Sequence, residues 1–315
     1  MDILCTYYQI YDQLYETPFS PVEEIAETLH MSVPEVDQNL DTMYHSLLLQ
    51  GPVISVKPAS QYRMYSYFLR TDNPFALYKK LLHGSYISKS WAAGHWNLMV
   101  VTDEKLDFAG LEGVRECIYS GKKGGTYISK CVHTNWDHAM KDISSRMDTP
   151  RKKTVFYEEV PALGWGQEDW MLYYVFRLNA RREYAPILQK LNIDYDQYKK
   201  WFSTLPAVAY IQPAFCPHGW NNCGTFDFLL KSDFQTQVVD ILGLLPCSGV
   251  FFSTGDSLLA RLFVRGKEEI RKVDTVMLYL ERFGYVTDYL TSLVMSTCHR
   301  GDLLQNWNST IEIEQ

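Results

Sequence analysis

The chain repeats itself at long range. Residues 25–36 (IAETLHMSVPEV) align with residues 187–198 (ILQKLNIDYDQY) at an offset of 162, and residues 81–101 (LLHGSYISKSWAAGHWNLMVV) with residues 244–264 (LLPCSGVFFSTGDSLLARLFV) at an offset of 163. Two different blocks recur in one order at nearly one spacing, so a two-module unit occurs twice. Solenoid repeats are far shorter, a few tens of residues. With 315 residues and an apolar fraction of 46%, the chain can bury more than one core.

The first module of each unit has the outline of a helix-turn-helix. Ile25, Leu29, Val36 and Leu40 recur at helical spacing with a break after His30. Ser32 can cap a new helix and Glu35 can complete a capping box, with Pro34 tolerated in the first turn. In the second unit Asp194 takes the cap, Gln197 the box, and Tyr198 and Phe202 the core-facing positions. Helices are expected upstream at residues 3–15 and 168–178, and β-prone runs follow at 53–57 and 208–215. Both first modules therefore read as winged helix-turn-helices.

The second modules read as β-α-β-β-α-β, the ferredoxin-like order. In the later copy the expected elements are a strand at 225–232, a helix at 234–245 and strands at 248–254 and 258–264. A helix at 267–283, closed by Gly284, and a strand at 286–295 complete it. In the earlier copy they are 62–70, 75–83, 86–91, 96–102, a second helix at 106–119, and a last strand at 126–131. Leu259 and Phe263 lie on the strand face opposite Leu258, Ala260, Leu262 and Val264, so both faces are expected to be covered. The other copy's sheet is the natural cover, which would make the chain its own pseudo-dimer. The fold class is thus α+β: winged helix 1–60, ferredoxin-like module 61–136, linker 137–166, winged helix 167–222, ferredoxin-like module 223–300 and tail 301–315.

Charge separates the copies. Net charge is −7, and residues 1–56 hold nine acids with no Lys or Arg. The would-be recognition helix at 33–48 offers Glu35, Asp37 and Asp41 where phosphate contacts demand cations, which points to packing or dimerisation. The equivalent helix at 195–205 carries Gln197, Lys199 and Lys200, with Arg177, Arg181 and Arg182 nearby. Any contact with double-stranded DNA is expected through Gln197, Lys199, Lys200, Arg181 and Arg182. No apolar run reaches the roughly 18 residues of a membrane span. The acidic N-terminus lacks a basic n-region, so a cytoplasmic location with seven reduced cysteines is expected.

A winged helix-turn-helix followed by this β-α-β-β-α-β module resembles the Lrp/AsnC family of feast/famine regulators. The nearest stretch is residues 244–296, where LPCSGVFFSTGDSLLARLFV matches the family's strand, tight turn and strand, and Val286-Thr287 opens its last strand. The resemblance implies a transcriptional regulator without a cofactor. Its small effector, often an amino acid, would bind near the turn between paired modules. That assigns Thr254, Gly255, Asp256 and Ser257, and by the internal repeat Ala92, Gly94 and His95. The siroheme decarboxylases resemble the same family and imply a tetrapyrrole enzyme as the alternative, with His95, His133 and His138 as pocket residues. Their His-Cys-Tyr strand motif is replaced here by Ser85-Tyr86-Ile87 and Ser248-Gly249-Val250. A protein that binds ligand or protein but no DNA is a third expectation.

Two other clusters carry chemistry. Cys216, His218 and Cys223 have a knuckle-like spacing, but zinc wants four ligands and only Cys247 or His299 could be brought near as a fourth. An incidental loop is the plainer reading, and no metal is expected. Pro150-Arg151-Lys152-Lys153 reads as a solvated linker.

Overall fold

A computed structural model describes residues 3–80, 86–108 and 110–299. The first winged helix comprises α1 (Ile3–Glu16), α2 (Val22–Leu29), α3 (Val33–His45) and the wing strand β1 (Leu49–Val56). Ser32 accepts the Glu35 amide at the start of α3, which satisfies one otherwise orphaned donor. The first ferredoxin-like module follows as β2 (Met64–Thr71), α4 (Pro74–Lys80), β3 (Ser88–Gly94), β4 (Leu98–Thr102), β5 (Val114–Lys123) and β6 (Tyr127–Ile128). Next come α5 (Trp136–Arg146) and the second winged helix: α6 (Gln167–Phe176), α7 (Tyr184–Leu191), α8 (Tyr195–Val208) and β7 (Ala209–Phe215). The second module is β8 (Gly224–Lys231), α9 (Gln235–Leu242), β9 (Val250–Thr254), β10 (Ser257–Val264), α10 (Gly266–Arg282) and β11 (Asp288–His299).

The later module has the expected β-α-β-β-α-β order, and Gly284 sits at φ +69° behind α10. The earlier module departs from it. Among the described residues the helix expected at 106–119 does not form: β5 takes up 114–119, and Gly110 and Gly113 lie in the preceding loop. Glycine weakens a helix there, and the strand gains a full ladder with β2. The strand expected at 126–131 shrinks to two residues paired with β9. The helix expected at 75–83 runs from Pro74 to Lys80, with residues 81–83 outside the described residues. The expected linker is also structured. Helix α5 runs through its first part, and Ile143 with the following Met147 joins the core under α9 and α10. Arg151 donates to the carbonyls of Phe283 and Gly284, and Lys153 pairs with Asp233, so the basic run is docked on the second module.

Both modules form antiparallel sheets, β3-β4-β2-β5 and β9-β10-β8-β11. They do not stack as two separate layers. Edge strand β11 pairs with edge strand β3 over Ser292↔Gly94 to His299↔Ser88, and β5 meets β9 at Lys123↔Thr254. The eight strands therefore close into a barrel. The backbone bonds Gly124 N to Ser253 O (2.8 Å) and Gly255 N to Lys122 O (2.9 Å) extend the shorter seam. Closure removes the exposed strand edges. The expected mutual cover of the inner faces is realised inside the barrel, where Phe68, Ala92, Trp96 and Met99 of one copy meet Leu229, Phe252 and Leu259 of the other.

The winged helices are joined the same way, for β1 pairs antiparallel with β7 from Leu49↔Phe215 to Val56↔Ala209. No described helix is long and apolar enough to cross a membrane.

The β5–β9 seam depends on close backbone approach at Gly121, where an added Cβ would lie 2.6 Å from the Gly255 nitrogen. Gly121→Ala is expected to destabilise the protein by about 1–3 kcal/mol, the range for overpacking a closed interior. Urea denaturation checks this, and an unchanged midpoint would show that the seam yields freely.

Candidate ligand site at the mouth of the barrel

The turns assigned to an effector lie at the two seams. Ala92 and Gly94 are residues of β3 rather than of a turn, and they pair with Val294 and Ser292 of β11. A Cβ at Gly94 would stand 2.6 Å from the Thr291 carbonyl oxygen, so the close approach requires glycine. His95 Nδ1 lies 3.1 Å from the Thr291 amide nitrogen and 2.9 Å from its carbonyl oxygen. At the other seam the Tyr119 hydroxyl is 2.7 Å from the Thr254 carbonyl oxygen and 2.5 Å from an Asp256 carboxylate oxygen. The hydrogen bond from that hydroxyl is the main reason the Asp256 carboxyl lies below its ordinary range. Thr254 Oγ1 is 2.6 Å from Ser66 Oγ, and Ser257 Oγ donates to Asp256 (3.2 Å). Thr254, Asp256 and His95 thus each bind a residue of the opposite copy. Gly94 and His95 also border an open hollow of about 540 Å³ with Arg70, Asp274 and Tyr289.

The residues assigned to DNA separate into two sets. Lys199 and Lys200 are exposed on α8, with Lys199 Nζ 5.5 Å from the centroid of the Tyr195 ring. Gln197 donates its side-chain amide to Asp169 (2.9 Å), which ties α8 to α6. Arg181 donates to the Ser20 carbonyl (2.5 Å), and burial lowers its pKa. Arg182 donates to the Val175 carbonyl (3.2 Å). These two arginines clamp protein backbone, Arg181 across the two copies.

Folding brings Cys247 to the Cys216 loop, as the spacing allowed, and Cys216 Sγ lies 3.4 Å from Cys223 Sγ and hydrogen-bonds Cys247. His218 Nε2 lies 3.8 Å from Glu269. Among the described residues, no group of His, Cys, Asp and Glu is arranged to hold a metal ion. His133 stacks on Tyr8 with centroids 4.3 Å apart. His133, His138 and His218 line one open groove of about 530 Å³ with Trp136. Asp137 pairs with Lys272 (2.9 Å).

A smaller cavity, about 130 Å³, sits where the barrel end meets both winged helices. Val53, Ile54 and Val56 of β1 form one wall, Tyr173 of α6 and the following Arg177 another, and Met64, Ile87, Val101 and Lys123 close the barrel side. Ser88, Thr126 and His299 add polar atoms. The walls are fastened across the copies, since Ile54 N donates to Arg177 O (2.7 Å) and Ala180 N to Pro52 O (2.8 Å).

Lys123 is the chemically distinctive group in this cavity. It is the last residue of β5 and is 6% exposed. Its Nζ donates to Gly124 O (2.9 Å) and Thr126 Oγ1 (2.8 Å) and lies 4.3 Å from the centroid of Phe252. No carboxylate of the described residues offsets it, and burial alone pushes its pKa down to about 7. A buried amine of this kind attracts small anions when protonated and is a nucleophile when neutral. Nothing in the local sequence SGKKGGTY separates Lys123 from the exposed Lys122; only the inward face of β5 does.

No protein-family model matches the chain, and no curated protein does. Among solved structures, the crystal structure of the siroheme decarboxylase NirDL is similar over 97% of this chain and 99% of that chain, with a TM-score of 0.48 and 10% identity. The same protein in co-complex with an iron-uroporphyrin III analogue is similar over 92% and 93%, with a TM-score of 0.43 and 10% identity.

The depressed Lys123 pKa makes stability depend on pH in a definite direction. Below about 7 the amine is protonated in both states, and between about 7 and its ordinary value of 10.5 only the unfolded chain keeps the proton. Stability should therefore rise across that window by up to about 1.4 kcal/mol per pH unit from this group. Urea midpoints of wild type and Lys123→Met, compared from about pH 7 to 10, check it. The variant should be the more stable at pH 7 and should lack the rise, and parallel curves would contradict the assignment.

Proposed function

We propose that this chain is a ligand-responsive, Lrp/AsnC-like protein whose effector, a small carboxylate-bearing metabolite, occupies the cavity at the mouth of the barrel. The observation that supports this is the position of Lys123: a buried amine with no carboxylate partner among the described residues, in a cavity walled by the barrel, the wing of one copy and the first helix of the other. A carboxylate there supplies the missing counter-charge and touches all the packed units at once. Its binding energy can therefore bias how the winged-helix pair sits on the barrel, to the extent that it differs between arrangements. The turns at the barrel seams hold the barrel closed, and the effector sits apart from them.

The output of this reading is contact with duplex DNA through the exposed face of α8. Lys199 and Lys200 support it, while the acidic face of α3 makes the first winged helix the packing partner. The chain supplies one such helix, so a two-fold DNA site requires a homodimer.

Two measurements test the reading. A panel of small mono- and dicarboxylates should raise the melting temperature of the wild type, by an amount equivalent to about 2.7 kcal/mol at 100-fold excess over Kd. Lys123→Met should lose that shift, and a panel that shifts neither protein would refute the cavity assignment. Duplex DNA should bind with a steep negative salt dependence, and Lys199→Ala with Lys200→Ala should reduce the slope of log K against log salt by about two. An unchanged slope would remove α8 from the interface.

A further inference from the structure

The proposed effector cavity has a chemical feature that simple anion binding does not use. Lys123 lines the cavity, and its Nζ is held in place by two short acceptors, the Gly124 carbonyl and the Thr126 hydroxyl. A point charge for carboxylate capture needs no such clamp, and among the described residues no other Lys lines this cavity. Arg177 lines the same cavity and carries the planar, permanently charged fork that suits a carboxylate. One wall thus offers an amine and another a guanidinium. Most of the remaining lining is apolar, from Val53, Ile54, Met64 and Val101.

We propose that Lys123 forms a reversible Schiff base with a small 2-oxo acid bound in this cavity, with the ligand's carboxylate on the Arg177 side. This rests on the cavity being the effector site and names the class of effector. In the step, the Nζ lone pair forms a C–N bond to the ligand's carbonyl carbon and the C=O π bond opens to a carbinolamine. The carbinolamine then loses its oxygen as water, together with the two hydrogens that Nζ carried. The product is an imine, nothing is oxidised or reduced, and hydrolysis reverses it. Two local features favour the step. Burial leaves a substantial share of Nζ neutral near pH 7, and neutral amine is the attacking form. The Thr126 hydroxyl, 2.8 Å from Nζ, is placed to relay the proton between nitrogen and departing oxygen. The cavity's small size, about 130 Å³, admits a short oxo acid and excludes a bulky aldehyde such as a pyridine cofactor.

The test is reductive trapping on the intact chain. Wild-type protein is incubated with pyruvate or glyoxylate and sodium cyanoborohydride, and the product is read by intact mass and peptide mapping. The expected result is one reduced adduct per chain, mapped to Lys123, blocked by excess non-carbonyl carboxylate such as propionate and absent from Lys123→Met. Mapping on wild type keeps the test valid even where the variant folds poorly. An adduct spread over exposed lysines, or one that persists in Lys123→Met, would overturn the proposal. If pyruvate and propionate stabilise the wild type equally and no adduct forms, the Schiff base falls while the carboxylate cavity stands. If neither stabilises it nor traps, both fall together.

Discussion

Closure of the barrel is the constraint on which the rest of this structure depends. A four-stranded ferredoxin-like sheet has two edges, each a row of unpaired backbone donors and acceptors. Duplication supplies a second sheet with the same two edges, and head-to-tail pairing of β11 with β3 and of β5 with β9 uses all four. The inner faces then share one core, which no single module could complete: Phe68 and Trp96 pack inside with Leu229 and Phe252. The glycines at the seams, Gly94 and Gly121, are the local expression of this constraint, because side chains there would meet the opposite backbone.

Closure also explains how the barrel handles charge. Arg261 and Asp227 face inward, and the fully buried carboxylate accepts two bonds from the guanidinium (2.7 and 2.9 Å). Ser90 and Thr297, from the two strands of the longer seam, accept from the same guanidinium at 3.2 and 3.3 Å. Such a pair is a poor source of net stability but costs several kcal/mol when half of it is removed. Lys123 stands in contrast near the barrel mouth, buried and with no carboxylate among the described residues. A barrel that satisfies one inward charge so fully and leaves another to carbonyl, hydroxyl and ring contacts sets the second apart as the place for an external partner.

Much of the fold was legible because its signals are local. The caps at Ser32 and Asp194 form with the amides three residues on. Their reciprocal half does not: the Gln197 side chain goes to Asp169 instead. The helical stripe of α10 and the β9–β10 hairpin also lie where periodicity puts them. The earlier copy misled for a physical reason. Residues 106–119 contain apolar residues at spacings that fit a helix, and only the ladder offered by β2 makes 114–119 a strand. The site was less legible still. Arg181 looked like a phosphate contact because sequence shows a cation without showing the Ser20 carbonyl that it meets. Tyr119 gave no signal of the turn that it binds. Lys123 is one of two adjacent lysines, and its burial comes from strands far away in sequence.

The amino-acid sequence by itself determined that a two-module unit occurs twice, that the later copy follows the β-α-β-β-α-β order, and that the first helix-turn-helix is acidic. These are properties of periodicity, capping and charge count, all set within a few residues. Tertiary structure alone decided that the copies meet edge to edge, that the predicted ligand turns become seams, and that the buried amine lies where wing, helix and barrel converge. Those outcomes depend on which backbone edges and which side-chain faces are left over once the local elements have formed, and pairing them brings together residues more than a hundred positions apart.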